Sequence, residues 1–412
     1  MDDKRSRPVV IAGAGVAGLT AAIAFARRGC RVQLFEQAPR LEAVGAGLQL
    51  SPNATRILRD LGVLDRLLPA AVRPEAVVLK DARTLRQLAR VPLGRSGEDR
   101  WGAPYLVTHR ADLQSALMER AAEMPDIHLT LGARVQKIAV GSQGVMASVE
   151  IGGKTSEKQG SLLVGADGVW STVRGLVDSE RMAPPRNRFS GALAWRATVA
   201  ADSPAGLAFA AIGPPNCVTT FLHPGFHMVA YPVSKGDAFN LVAFTKGERI
   251  AEGWSGRADP GILADAMRGC APGLAKVTQL VGPWLTWPLH TVDQGQPWTV
   301  PGGIALIGDA AHAMTPFAAQ GAAMAIEDAA MLADAVADSA ADPAAGLGMW
   351  EALRRPRIAK AARRGALNRL AWHAAGPVAI ARDLFLAMRG PDKLAADLDW
   401  LYGWERQKTT RR

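Results

Sequence analysis

Three cysteines in 412 residues, Cys30, Cys217 and Cys270, leave no close pair for a thiolate metal site or a redox dithiol, and their scarcity fits a reducing, cytoplasmic setting. Long apolar runs are missing too: none approaches the ~18 residues that would suggest a membrane-spanning helix. The charged opening "MDDKRSRPVVIAGAG" passes straight into a strand pattern without the apolar core of a secretion signal, so secretion is not expected. Aromatic residues are sparse in the most basic stretch, "RRPRIAKAARRGALNR". Although the net charge is +10, that stretch reads as a solvated helix face and not as a nucleic-acid patch. A basic surface of this kind attracts anionic small molecules such as nicotinamide nucleotides and aromatic carboxylates. His223 and His227 are four apart, but Pro224 and Gly225 between them argue against a helix, and no third ligand is evident, so no metal is expected. Internal repeats and low-complexity linkers are absent from the pattern as well.

What the chain does have is apolar mass, 49% of its residues, enough for two sizeable lobes. The segment "RPVVIAGAGVAGLTAAIAFARRGCRVQLFEQ" reads as strand, glycine turn, helix and second strand. Gly13 allows the sharp turn, Gly15 lets the backbone approach a pyrophosphate, and Gly18 lets the helix pack on the strand. Ala17 lies inside the same turn. The helix start favours an anion, and Glu36 at the end of the second strand, beside Gln37, can accept hydrogen bonds from ribose hydroxyls. Together these predict dinucleotide binding without distinguishing a flavin from a nicotinamide dinucleotide.

Further on, "SPNATRILRDLG" and "THRADLQSALMERAAEM" predict helices, the second entered at Arg110. "VQKIAV", "GVMASVEI" and "SLLV" predict strands, and from about 188 the texture becomes short alternating runs such as "GALAWRATVA" and "FHMVAYPV". The expected architecture is α/β: a Rossmann-like dinucleotide-binding domain with an inserted antiparallel-sheet substrate domain and a helical C-terminus. The expected division is 1–187, 188–290 and 291–412. "SAADPAAGLG", 339–348, reads as a loop.

Two further turns follow apolar runs. In "GADGVWSTVR", 165–174, Asp167 has two readings, a ligand contact or a plain helix cap. In "GDAAHAMTPFAAQG", 308–321, the strand "IALI" would deliver Asp309 to the carboxyl end of the sheet, where ligands of open α/β sheets collect. A helix beginning near Gly321 and Ala322 would aim backbone N–H groups at the same place. His312 reads as structural.

The set "GAGVAG" with Glu36, "HRADL", "GADGVWSTVR" and "GDAAHAMTPFAAQGAAMAIEDA", together with the aromatic tail "DWLYGWE", resembles the single-component FAD-dependent aromatic hydroxylases of the salicylate and hydroxybenzoate type, almost along the whole chain. The resemblance implies FAD as cofactor, NAD(P)H and O2 as co-substrates, and hydroxylation of a small phenolic aromatic through a flavin hydroperoxide. It leaves room for a homodimer. It places Gly15, Gly18 and Glu36 on the adenosine diphosphate, Arg110 against FAD, Asp167 in a motif linked to both FAD and nicotinamide binding, Val135 beside adenine and Asp309 on the ribityl chain. Gly321 and Ala322 then meet the flavin ring, and Pro316 the substrate.

The resemblance also assigns a His-x-x-x-Tyr pair, His227 and Tyr231, to acid–base work. Strand alternation puts both on one face with Val229. An imidazole near pKa ~6.5 can take the proton of a phenol near ~10. Gln49 occupies a position where other members place a histidine, which favours a benzenoid phenol over a hydroxynicotinate. Trp195, Phe221, Phe226 and Tyr231 are candidates for the roof of the pocket. The alternatives are a flavin oxidoreductase that inserts no oxygen, a polyprenyl-phenol hydroxylase at the membrane surface, and a flavin-binding protein without turnover.

Overall fold

The computed structural model describes residues 7–41, 46–141, 144–180, 187–248, 259–339 and 343–406. Its larger lobe is built on a six-stranded sheet. The spatial order is Thr299–Val300, Ile304–Leu306, Leu162–Gly165, Val9–Ala12, Val32–Glu36 and Ile127–Leu131, parallel except for the first. Val9–Ala12 is buried at every position, as a central parallel strand covered on both faces must be. The helix Val16–Ala26 is almost wholly buried for the same reason. The chain leaves Val9–Ala12 toward Val32–Glu36 on one side and later returns with Leu162–Gly165 and Ile304–Leu306 on the other. That reversal is a topological switch point, where ligands of open parallel sheets bind beyond the carboxyl ends of the strands.

The smaller lobe is a seven-stranded sheet in the order Leu285–Val292, Asn187–Ala200, Ala238–Lys246, Phe226–Val233, Val218–Leu222, Ala76–Asp81 and Gln87–Pro92. The last two strands come from far upstream, and Ala76–Asp81 joins through a parallel pairing with Val218–Leu222. A local reading of 188–290 does not contain them. One face of this sheet carries its own core, with Trp195, Phe209, Phe221 and Phe226 packed under the helices Pro204–Ala210 and Pro272–Leu280. The other face looks at the large lobe. A three-stranded meander, Ala133–Gly141, Gly144–Ile151 and Lys154–Gly160, and a pair, Gly47–Leu50 with Leu106–His109, complete the strands described.

The C-terminus is helical. Helix Gly321–Asp338 packs on Val16–Ala26 and on Pro343–Trp372. The expected loop at 339–348 is shorter than its composition suggested, because Ala344–Gly348 already belong to the long helix, and 340–342 lie outside the described residues. Pro343 stands at the start of that helix, where its missing N–H costs nothing. Among the described residues no helix is long and apolar enough to cross a membrane.

Candidate active site

Register places the sequence motifs side by side. Ala12 pairs with Gly165, and Gly165 with Leu306, so the turns that begin at Gly13, Ala166 and Ile307 leave the carboxyl ends of three adjacent strands. Glu36 closes the fourth. Gly13 has φ +100°, and a Cβ there would stand 2.6 Å from the Ala166 carbonyl oxygen. Only glycine lets the first and second turns touch. The second and third are tied by Arg174, whose guanidinium donates to the carbonyls of Ala310 (2.8 Å) and Val169 (2.6 Å).

The third turn is held from beneath by a buried ionic cluster. Asp328 accepts hydrogen bonds from the Gly308 N–H (3.0 Å) and His312 Nε2 (2.5 Å), and Arg354 Nε lies 2.7 Å from its other oxygen. Glu327 pairs with Arg354 (2.6 Å) and accepts from Asn53 (2.7 Å). Burial alone would raise the Asp328 carboxyl, but His312, Arg354 and the Gly308 N–H hold it down at about 2. His312 is therefore structural, as its position suggested.

The turns open onto a cleft of about 350 Å³. Gly15, Ala17, Arg110, Asp309, Gly321 and Ala322 reach its wall from the large lobe. Gly15 precedes the helix Val16–Ala26 with no side-chain cap and no acidic residue in the first turn, which leaves N–H groups for an anion. Glu36 accepts from the Ala14 N–H (2.7 Å) and the Ala38 N–H (2.9 Å), and each oxygen keeps a lone pair. An open glycine turn, a cationic Arg110 and the carboxylates Glu36 and Asp309 beyond the strand ends form a set of donors and acceptors that fits an extended FAD.

Some expected contacts lie elsewhere. Asp167 turns away from the cleft and accepts from Ser171 and from the Val173 N–H (3.0 Å), so its side chain caps the following helix while Ala166 and Gly168 line the wall. Val135 is buried outside the lining, on the strand that follows Gly132, whose N–H is bonded to the Ala38 carbonyl. Gln37 is exposed next to Glu36.

On the opposite wall Gln49, Val229, Tyr231, Phe244 and Pro316 come together. Gln49 Oε1 accepts from the Tyr105 hydroxyl (2.7 Å), and Tyr105 packs edge-on against Tyr402 of the aromatic tail, 5.8 Å between ring centres. The Pro316 carbonyl accepts from the Ala319 N–H (2.9 Å). Burial raises the Tyr231 hydroxyl far above the ordinary tyrosine value, against the opposing pull of Arg196.

His227 shares the face of Val229 and Tyr231 but does not reach the cleft. Its ring stacks on Phe244 (4.6 Å), meets Phe317 and Trp372, and its Nδ1 lies 2.8 Å from His373 Nε2. Desolvation drives His227 well below the usual histidine range, and desolvation with Arg369 and Lys246 lowers His373 to about 4, so both rings are neutral. Trp195, Phe221 and Phe226 are not pocket lining. They stand on the sheet's other face, which alternation assigns to neighbours of Arg196 and His227. Arg196 is the wall residue that sequence reasoning missed. The phase of "AWRA" puts it opposite Trp195, but which face meets the other lobe is a long-range fact.

The model of a family described as an FAD binding domain matches residues 6–281 and 286–364. A 3-hydroxybenzoate 6-hydroxylase from Polaromonas naphthalenivorans (strain CJ2) is 32% identical over 409 residues, 98% of this chain and 97% of that protein. The 3-amino-4-hydroxybenzoate 2-monooxygenase PtnB3 of Streptomyces platensis is 35% identical over 399 residues, 96% of each chain. Among solved structures, a salicylate hydroxylase in complex with substrate superposes with a TM-score of 0.80 at 22% identity, covering 98% of this chain and 96% of the other. That last likeness concerns the fold.

Proposed function

We propose, from the premise that the chain belongs to the FAD-binding-domain family, that it is an NAD(P)H- and O2-dependent FAD monooxygenase hydroxylating a small phenolic aromatic of the hydroxybenzoate kind. The observation that carries this reading is the convergence of three strand-end turns on one cleft whose far wall is an apolar sheet face bearing Tyr231. FAD, when bound, takes electrons from NAD(P)H and activates O2 for transfer to the ring. The chain's own residues bind, orient and dry the site. The start of helix Val16–Ala26, Arg110 and Glu36 are proposed to hold the adenosine diphosphate end, and Asp309, Gly321 and Ala322 the ribityl and ring end. Val229, Phe244 and Pro316 exclude water from the reacting ring, so that activated oxygen is not lost as peroxide.

Tyr231 is proposed to hydrogen-bond the phenolic hydroxyl. Its raised pKa keeps it a donor through neutral pH. His227, screened by Phe244 and Phe317 and bonded to His373, is proposed as a positioning residue behind Tyr231. Gln49, fixed by Tyr105, faces the same space. The proposed division keeps 188–290 as the substrate lobe between FAD-binding segments 1–187 and 291–412, with Ala76–Asp81 and Gln87–Pro92 lent to its sheet. The free cysteines support a cytoplasmic location.

The test is a screen of hydroxylated aromatic acids for substrate-stimulated NADH oxidation under labelled O2. One labelled oxygen in the product ring is expected. NADH consumption that yields only peroxide would replace the hydroxylase with an oxidoreductase that inserts no oxygen.

A further inference from the structure

Arg196 is a half-buried cation without a counter-charge. It projects from strand Asn187–Ala200 into the cleft, its guanidinium 5.2 Å from the centre of the Trp287 ring, and no carboxylate among the described residues lies within ion-pair distance. Its Nε is buried and unpaired. The buried arginines are satisfied: Arg354 by Glu327 and Asp328, Arg174 by two carbonyls. Desolvation lowers the Arg196 pKa, and nearby Arg110 adds to the effect. A charge left in this condition costs free energy that a bound anion would return.

Two anions could answer it: a phosphate of the dinucleotide or a carboxylate on the substrate. The sheet geometry favours the second. Arg196, Val242 and Val229 form one row across the strands, and Thr198, Asn240 and Tyr231 the next row on the same face. Arg196 and Tyr231 are thus separated by about 7 Å along the strands and roughly 10 Å across them at the backbone, and their long side chains reach inward over Val242. Around them Val229, Val242, Phe244 and the Trp287 ring line the same cleft, surfaces suited to an aromatic ring and not to a phosphate. The helix start at Gly15 and the side chain of Arg110 are already proposed to hold the phosphate end.

We propose that Arg196 is the specificity-determining anchor of the site, holding the carboxylate of an aromatic acid in a two-pronged ion pair while Tyr231 meets the ring hydroxyl. The planar guanidinium suits this bidentate geometry. The inference rests on the hydroxylase reading for the presence of a ring in the cleft, but it concerns binding, which can be measured without turnover.

The experiment is equilibrium binding of 3-hydroxybenzoate, salicylate and their uncharged amides to the FAD-loaded protein, for wild type, Arg196→Gln and Arg196→Lys. Flavin content and the far-ultraviolet spectrum of each variant are recorded. Wild type is expected to prefer at least one acid over its amide. Arg196→Gln should weaken that acid by about 30-fold or more and change the amide by no more than roughly threefold, with flavin content intact. Arg196→Lys should recover part of the loss. Equal loss of acid and amide, no preference for acids in wild type, or loss of flavin from Arg196→Gln would overturn the anchor. Acid binding that depends on Arg196 without oxygen insertion would keep the anchor and sink the hydroxylase. Hydroxylation of uncharged phenols with no preference for acids would do the reverse.

Discussion

A methyl group placed on Gly47 would stand 2.4 Å from Asn240 Cγ and 2.7 Å from the Tyr231 hydroxyl, and the Gly47 N–H already donates to Asn240 Oδ1 at 2.9 Å. The strand carrying Gln49 thus lies directly on the tyrosine that faces the cleft. Gly47→Ala is expected to push Tyr231 out of place and cut substrate-stimulated NADH oxidation by about 100-fold, the order expected for a misplacement of about 1 Å. A wild-type rate in that variant would contradict the placement. Tyr231→Phe removes the donor without moving the ring, and its expected effect is a fall in kcat of about 100-fold, at the lower end of general acid–base contributions. The His227–His373 pair makes a pH prediction. Both rings have folded pKa values below the ordinary ~6.5, so the unfolded chain takes up protons first as pH falls. Their contribution to stability is present above about 6.5 and is lost as pH drops toward about 4. Thermal melts across that window should show a falling Tm, and His373→Gln should flatten the slope.

At the scale of elements, the decisive feature is how helices Gly321–Asp338 and Pro343–Trp372 hold the turn at 308–312. Arg354, Glu327 and Asp328 are fully buried, and Asp328 reaches the turn through Gly308 and His312. Asp328→Asn strips one of the two carboxylates from the buried Arg354 and leaves it Glu327, which Arg357 shares. The expected cost is about 3–5 kcal/mol in urea unfolding, with a weaker hold on FAD because Asp309 follows the released Gly308. An unchanged unfolding midpoint would mean that the cluster does not support the turn.

At the scale of the whole molecule, the parts legible in the sequence are those where a local constraint dictates residue type. Gly13 is glycine because of its φ and the neighbouring carbonyl, and Asp309 follows an apolar strand because the sheet edge is there. What could not be read depended on distant partners. The strands Ala76–Asp81 and Gln87–Pro92 join the small lobe across more than a hundred residues. His227 is sealed off by His373, 146 positions away. Arg196 looks like an ordinary polar residue on an alternating strand until the large lobe covers that face. Asp167 kept two readings because a helix cap and a ligand contact call for the same side chain at the same place, and the hydrogen bond to Val173 favours the cap.

The central proposal is one dinucleotide lying across turns nearly 300 residues apart in sequence, at the ends of neighbouring strands of one sheet. Titration of the flavin-free protein with FAD, followed by flavin fluorescence in wild type, Glu36→Ala and Asp309→Ala, tests it most directly. One FAD per chain is expected, with each variant weakening that single isotherm by about tenfold or more. A protein that takes up no flavin, or an Asp309→Ala variant that binds FAD as tightly as wild type, would contradict it.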